Sequence, residues 1–371
     1  MKIALVSPYD FAYPGGVTVH IANLADQFTR WGHQVKILTP LSTTSTDFPQ
    51  DVIPFGRPVP IPSGGSTARL SLSVWQRPRI KALLRREAFD IVHIHEPLAP
   101  FLPLFVLQLS ESVNIGTFHA FHGSGRMYKF TKPLLRRWFR KLAGRIVVSQ
   151  AALSFIGSHF PGEYQIIPNG IDVGHFSADV PPISDLQDGK INILFVGRLE
   201  KRKGLKYLLA AFSSLKWEWP NLRLLVVGPG NLDEDSYAVL SQRNVQDVVF
   251  LGSVSRAELP RYYRTADIFC APATGKESFG IVLLEAMAAG KPIVASNIDG
   301  YSSVVSHGKE GLLVEPRSEE SLAKALVTLI ANPELRHEMG ILSRSKAEGF
   351  RWEKVAGMVM EHYTNHLKKA S

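Results

Sequence analysis

The sequence predicts an α/β chain of two doubly wound parallel-sheet domains that face each other across a cleft, with a long C-terminal helix returning toward the first. Three observations predict it. The length of 371 residues exceeds one typical core and fits two. Through the first half, short apolar runs alternate with helical spacing, the pattern of βαβ units around a sheet covered on both faces. The second half repeats that plan beyond a turn-rich stretch at 181–189. The expected domains are residues 1–180 and 181–350, with the returning helix at 351–371.

In chain order, KIALVS, QVKILTP, IVHIH and IGTFH read as strands, with helical spacing over 17–31 and 76–87; RIVVSQ and YQIIPNG follow. In the second half INILFVG, LRLLVVG, DVVFLG, DIFCAP, PIVAS and GLLVEP read as strands. LKYLLAAFSSLK is a helix, and GIVLLEAMAAG is another that ends on Gly290, a residue suited to a C-cap. About 352–369 forms one amphipathic helix. In open parallel sheets ligands bind beyond the carboxyl ends of the strands, which directs attention to the loops there.

Composition excludes several classes. The single cysteine, Cys270, removes a disulfide framework and a cysteine-based zinc site, and its apolar run (ADIFCAP) marks it as core. MKIALVSPY is an opening strand too short for a signal peptide, and no apolar run reaches the length of a membrane span, so a cytoplasmic chain is expected. The net charge of +9 is uneven: residues 1–180 carry 18 Lys and Arg against 11 Asp and Glu. Arg126, Lys129, Lys132, Arg136, Arg137, Arg140, Lys141 and Arg145 fall in one acid-free segment, interleaved with Trp138 and other apolar residues. Arg77, Arg79, Lys81, Arg85 and Arg86 form a second basic cluster. A basic amphipathic helix with aromatics suits an anionic membrane surface, and no nucleic-acid-binding motif accompanies it.

Four constellations can carry chemistry. In Glu277–Ser278–Phe279–Gly280–Ile281–Val282, a turn opens a helix on which Glu285 follows. Its backbone N–H groups and helix dipole suit a diphosphate, Glu285 a ribose and Glu277 a sugar. GRLEKRKG places Arg198 and Lys203 between a strand and a helix, where cations can stabilise a leaving diphosphate. Spacing leaves Lys201, Arg202 and Lys203 open as alternatives; Lys203, beside Gly204, is the first choice. Gly15 and Gly16 after the first strand permit close approach of backbone to ligand; this is not a dinucleotide fingerprint. His119 closes one strand, and His93, His95 and Glu96 lie at the end of another; His93 and His95 share a face without a clear third ligand, so no metal is expected.

These pieces in this order resemble the retaining glycosyltransferases of family 4, two Rossmann-like domains of the GT-B type. The resemblance covers essentially the whole chain, and its most specific element is ESFGIVLLE, with IPNGID (167–172) and GRLEKRKG in agreement. Within the family the chain is most similar to phosphatidylinositol α-mannosyltransferases, through PGGV (14–17), VPIPSGGSTARL (59–70), HIHEP (93–97) and TFH (117–119). The resemblance implies GDP-mannose as donor, phosphatidylinositol as acceptor, peripheral attachment to the inner face of the plasma membrane, and no cofactor. It implies that Gly16 approaches a phosphate, that Arg198 and Lys203 bind the diphosphate, and that Glu277 and Glu285 read mannose and ribose. Val254 would lie by the base, His119 by the reacting sugar, and Tyr9 and Arg69 by the inositol phosphate. The stretch after His119 (AFHGSGRMYK) departs from the Ser/Thr-rich segment of similar enzymes. Other members transfer glucose or galactose from UDP-sugars.

Overall fold

The computed structural model describes the chain except residues 14, 44–47, 49, 64, 65, 120–124, 178 and 371; 62, 63, 66–68, 125–130 and 370 are described by backbone alone. The chain divides into two compact units, Met1–Gly170 with Trp352–Ser371, and Ile171–Arg351. The division thus falls ten residues before the expected one. Ile171 pairs with Arg351 and its N–H donates to the Phe350 carbonyl at 2.8 Å, which ties 171–180 to the second unit.

The first unit runs β1 (Lys2–Val6), α1 (Gly16–Arg30), β2 (Gln34–Thr39), β3 (Val52–Pro54), β4 (Pro58–Ser63), β5 (Ser66–Ser71), α2 (Arg77–Glu87) and β6 (Ile91–His95). It continues with α3 (Leu102–Leu109), β7 (Val113–Phe118), α4 (Gly125–Phe139), β8 (Gly144–Val147), α5 (Gln150–His159) and β9 (Gln165–Ile166). The main sheet is ordered β3-β2-β1-β6-β7-β8-β9 with every pairing parallel, while β4 and β5 form a separate antiparallel ribbon. Strands β1 and β6 carry no exposed face: Ile3 to Val6 and Ile91 to His95 are all buried, with His93 and His95 on one face of β6. The C-terminal helix Trp352–Ala370 belongs to this unit. Its Val355, Val359 and Tyr363 pack with Ile21, Leu24 and Phe28 of α1 and with the sheet. Burying each such side chain contributes about 1.5–3 kcal/mol, enough to hold the helix on the first unit.

The second unit runs β10 (Ile191–Val196), α6 (Leu205–Glu218), β11 (Leu222–Val227), α7 (Glu234–Gln242), β12 (Val248–Gly252), α8 (Leu259–Thr265), β13 (Ile268–Ala271) and α9 (Ile281–Ala288). Then come β14 (Ile293–Ser296), α10 (Asp299–Ser302), β15 (Gly311–Val314), α11 (Glu319–Ile330) and α12 (Pro333–Ala347). Its sheet, again all parallel, is ordered β12-β11-β10-β13-β14-β15. Caps set the helix starts where the sequence supplies them: Asp233 accepts from the Ser236 N–H at 2.9 Å, and Ser318 from the Ser321 N–H at 3.0 Å. Cys270 lies buried in β13, where burial pushes its thiol up and leaves it a small core residue.

In both sheets the strand order reverses once, between β1 and β6 and between β10 and β13. The crevice outside the carboxyl ends at such a switch point is where ligands bind in folds of this type. Ser7–Gly16 and Glu96 lie there in the first unit, and Gly197–Gly204 and Pro272–Gly280 in the second.

Candidate functional site

In the second unit the loop after β10 forms one 3-10 turn, Lys201–Lys203, before α6. Gly204 closes it in the left-handed region (φ 72°), and a Cβ there would stand 2.0 Å from the Pro272 carbonyl oxygen. Only glycine therefore lets this loop press against the end of β13. The Thr274 N–H donates to the Arg202 carbonyl at 2.8 Å and joins the two loops. The loop after β13 is itself strained: Gly275 and Lys276 have φ of 136° and 63°. Strain of this kind clusters where a side chain must be held in one place.

The residue held is Glu277. Lys203 Nζ lies 2.7 Å from its Oε1, and the Arg202 guanidinium bonds the same oxygen. Arg202 also reaches Glu200 at 2.8 Å, and Arg198 reaches Glu200 at 3.2 Å. Three cations and two carboxylates thus form one network. Lys203 is largely enclosed while Arg198 is half exposed (14% and 48%). Of the three candidate cations, Lys201 pairs instead with Asp235 at 3.0 Å. Sequence reasoning left Arg202 open as an alternative to Lys203; the structure makes them partners on one carboxylate.

Helix α9 begins at Ile281 behind Gly280, which is left-handed (φ 97°) and packs on Tyr301. Phe279 is buried, with its ring 6.2 Å from Phe350, so only its backbone can serve an anion. Ser278, Ile281 and Val282 remain partly exposed around the helix start. Glu285, one turn down, accepts from the Tyr263 hydroxyl at 2.7 Å. Burial pushes the Glu285 carboxyl up, opposed by that hydrogen bond and by the charges of Arg256 and Lys203. Tyr263 was not legible as a site residue, since it sits in α8 as one more buried aromatic. Val254 is half-buried in the turn after β12 and, among the described residues, shares no hydrogen bond or ion pair with the Glu277 network.

In the first unit the expected residues converge as well. Tyr9 bridges to Leu70 of β5, and the Asp10 N–H donates to the Arg69 carbonyl at 3.0 Å. The Arg69 guanidinium lies 3.8 Å from the Tyr13 ring centroid. Gly16 is the first residue of α1, behind a Gly15 whose N–H donates to Thr18 Oγ1 at 2.9 Å. The His119 N–H donates to Glu96 Oε1 at 2.7 Å, and Glu96 itself holds a left-handed backbone (φ 50°). Burial, with the Glu96 charge added, pushes the Tyr9 phenol up.

Histidines gather around His119. His95 Nδ1 lies 2.8 Å from His119 Nε2, and His20 Nδ1 lies 2.9 Å from Asn169 Oδ1. The His20 ring stands 5.0 Å from that of His119 and 5.2 Å from Trp352. Behind them, His93 bonds Thr117 Oγ1 and the Tyr363 hydroxyl, each at 2.6 Å. Burial depresses all four imidazoles, His20 to about 4 and the others well below their ordinary range, so all are neutral at pH 7. His20, His95 and His119 each bring a nitrogen within 4.8 Å of the others. The third candidate ligand missing from the sequence reading is therefore present, supplied by α1. His20 escaped notice because it sits in an apolar helical stripe, one turn beyond Gly16. The His95–His119 hydrogen bond occupies one nitrogen of each.

The basic segments separate by exposure. On α2, Arg77, Arg79, Lys81, Arg85 and Arg86 are all exposed, and the residues leading into it include exposed Leu72, Val74 and Trp75. On and after α4, Arg136, Arg137 and Arg140 are exposed, Lys132 and Trp138 are half-buried, and Arg137 stacks on Trp138 at 4.8 Å. Lys141 instead donates to the Gln108 carbonyl at 2.9 Å, and burial lowers its pKa. Of the departing stretch, residues 120–124 and the side chains of 125–129, Arg126 and Lys129 among them, lie outside the described residues. No helix among the described residues is long and apolar enough to cross a membrane.

Comparison with known proteins agrees with this reading of the fold. Residues 14–175 match the family described as Glycosyltransferase Family 4, and 178–346 match Glycosyl transferases group 1. The chain is 36% identical to the phosphatidyl-myo-inositol mannosyltransferase of Mycobacterium leprae (strain TN), over 98% of this chain and 96% of that one. Identity to the enzyme of the same name from Mycolicibacterium smegmatis is also 36%, over 98% and 93%. Among solved structures, a sucrose-phosphate synthase from Thermosynechococcus elongatus superposes with a TM-score of 0.78 over the full length of both chains at 22% identity. With two parallel-sheet units, each carrying its polar cluster at the switch point, the chain belongs to the family 4 glycosyltransferases of GT-B fold.

Proposed function

We propose that this enzyme transfers mannose from GDP-mannose to phosphatidylinositol or a related anionic lipid, with retention at the anomeric carbon. The observation that carries the donor half is the Lys203–Glu277–Arg202 network at the β10/β13 switch point, beside the start of α9. A diphosphate placed there meets two enclosed cations, the half-exposed Arg198 and a helix N-terminus. Glu285, oriented by Tyr263, suits a ribose, and Glu277 the sugar hydroxyls. The acceptor half draws on the relatives that bear the phosphatidyl-myo-inositol mannosyltransferase name at 36% identity. In this reading Tyr9, Arg69 and Gly16 serve the inositol phosphate and His119 the transfer.

Retention follows from a front-side route. The diphosphate departs from the face that the acceptor hydroxyl attacks, and a diphosphate oxygen takes the hydroxyl proton. Catalysis then consists of positioning and electrostatic stabilisation, supplied by Lys203, Arg202 and Arg198 with no metal required. The exposed basic side chains of α2, beside Leu72, Val74 and Trp75, suit an anionic bilayer, with α4 as a second basic surface.

A donor screen tests this. Purified protein is offered GDP-mannose, UDP-glucose and UDP-galactose, each with phosphatidylinositol in vesicles. Labelled lipid should form from GDP-mannose alone; transfer from either UDP-sugar in its place overturns the donor assignment.

A further inference from the structure

His95 and His119 are buried, and a single hydrogen bond joins Nδ1 of the first to Nε2 of the second at 2.8 Å. Two neutral imidazoles share one proton in such a contact, so one ring donates and the other accepts. The remaining nitrogen of His95 decides which. His95 Nε2 is buried and has no hydrogen-bond partner. If His119 were the donor, His95 would carry its own proton on that nitrogen, leaving a buried N–H with nothing to receive it. If His95 is the donor, the orphan is a bare lone pair. Buried N–H groups without acceptors are rarer in folded proteins than under-used acceptors, so the second arrangement is favoured. The backbone fixes the rings for this contact: His95 ends β6, His119 follows directly on the neighbouring β7, and Glu96 anchors the His119 N–H.

We infer that His95 is a positioning residue that sets the tautomer of His119, so that His119 keeps its proton on Nδ1 and presents a hydrogen-bond donor to a ligand oxygen. A donor of this kind can hold a sugar or inositol hydroxyl, and it cannot act as a general base through that nitrogen. His20 complements it. Its Nδ1 donates to Asn169 Oδ1, which leaves Nε2 as an acceptor, and a nitrogen of His20 lies within 4.8 Å of one of His119. The inference rests on the reading above only in giving His119 a ligand.

The test is a long-range proton–nitrogen NMR correlation on the full chain labelled with 15N-histidine, the His119 signals being identified by their loss in His119→Gln. The expected result is a protonated Nδ1 and a bare Nε2 on His119; a protonated Nε2 overturns the inference. In parallel, His95→Phe should mix the His119 tautomers and lower kcat on the order of tenfold to a hundredfold, with donor KM changed by less than about threefold. His95→Asn, whose amide nitrogen can stand in for Nδ1, should restore kcat to within about threefold. A His95→Phe enzyme with unaltered kcat also overturns the inference. If His95→Phe does not fold, the wild-type spectrum still decides. If the wild type shows the expected tautomer and no mannosyl transfer, the functional reading fails while the tautomer assignment stands.

Discussion

Replacing Lys203 by methionine keeps the aliphatic stem and removes the ammonium. Lys203 is largely enclosed and sits 2.7 Å from Glu277, so its charge is held by neighbours rather than by solvent. When the glycosidic bond breaks, the diphosphate gains about one negative charge. A unit charge about 4 Å away is worth roughly 4 kcal/mol at an effective dielectric of about 20, part of which is already present in the ground state. Loss of one preorganised donor in other enzymes costs about 2.7–4 kcal/mol, which is a fall in kcat of about 10²–10³. The same change at the half-exposed Arg198 is more strongly screened and should cost about tenfold. Folding should suffer little, because Arg202 still pairs with Glu277; a loss of about 1 kcal/mol lowers the melting point by about 2–4 °C. The assay is initial-rate mannosyl transfer at saturating donor, with thermal melting in parallel. A Lys203→Met enzyme that keeps more than about a tenth of wild-type kcat refutes the clamp assignment.

Other perturbations follow from the same geometry. Tyr263→Phe removes the hydroxyl that orients Glu285, a hydrogen bond to a carboxylate worth about 1.5–3 kcal/mol before screening. Donor KM should rise by about tenfold with kcat nearly unchanged, and an unchanged KM contradicts the ribose assignment. His20, His93, His95 and His119 all titrate lower in the fold than in the unfolded chain, where 6.5 is the ordinary value. The unfolded chain therefore binds more protons below that pH, and stability is full above it and lost as pH falls. Melting points should therefore be flat from pH 7 to 8 and fall as the pH drops below 6.5. A flat profile contradicts the neutral cluster. Activity should survive dialysis against EDTA, and a loss of most activity that magnesium or zinc restores would refute the metal-independent mechanism. Charge removal on α2 (Arg77, Arg79, Lys81 and Arg85 to Gln) should weaken flotation with anionic vesicles several-fold, α4 retaining part of it; unchanged binding contradicts the α2 membrane surface.

Much of the fold was legible because parallel strands buried on both faces leave continuous apolar runs, as in KIALV and INILFV. The ribbon β4–β5 was not read as structure. Pro58, Pro60 and Pro62 alternate along one strand, and prolines argue against a strand unless its other edge is unpaired, as it is in a two-stranded ribbon. The expected division at 180–181 fell ten residues late because the turn-rich stretch at 181–189 drew the boundary, whereas Ile171 is already paired with Arg351. Within the site, Glu277, Glu285, Arg198 and Lys203 stood out because polar residues beside strand ends and helix starts contrast with the apolar elements they join. His20 and Tyr263 did not, because each occupies a helix position where a buried aromatic ring is the ordinary outcome. Their roles depend on neighbours contributed by other elements: Asn169, in the loop after β9 and 149 positions from His20, and Glu285, on α9 and 22 from Tyr263.

The most direct test of the functional account is the linkage made by the purified enzyme from GDP-mannose and phosphatidylinositol. Proton NMR of the isolated glycolipid should show one mannose joined to inositol in the α configuration, the configuration of the donor. A β-linked product contradicts the front-side mechanism, and release of free mannose with no lipid product contradicts the assignment of the acceptor.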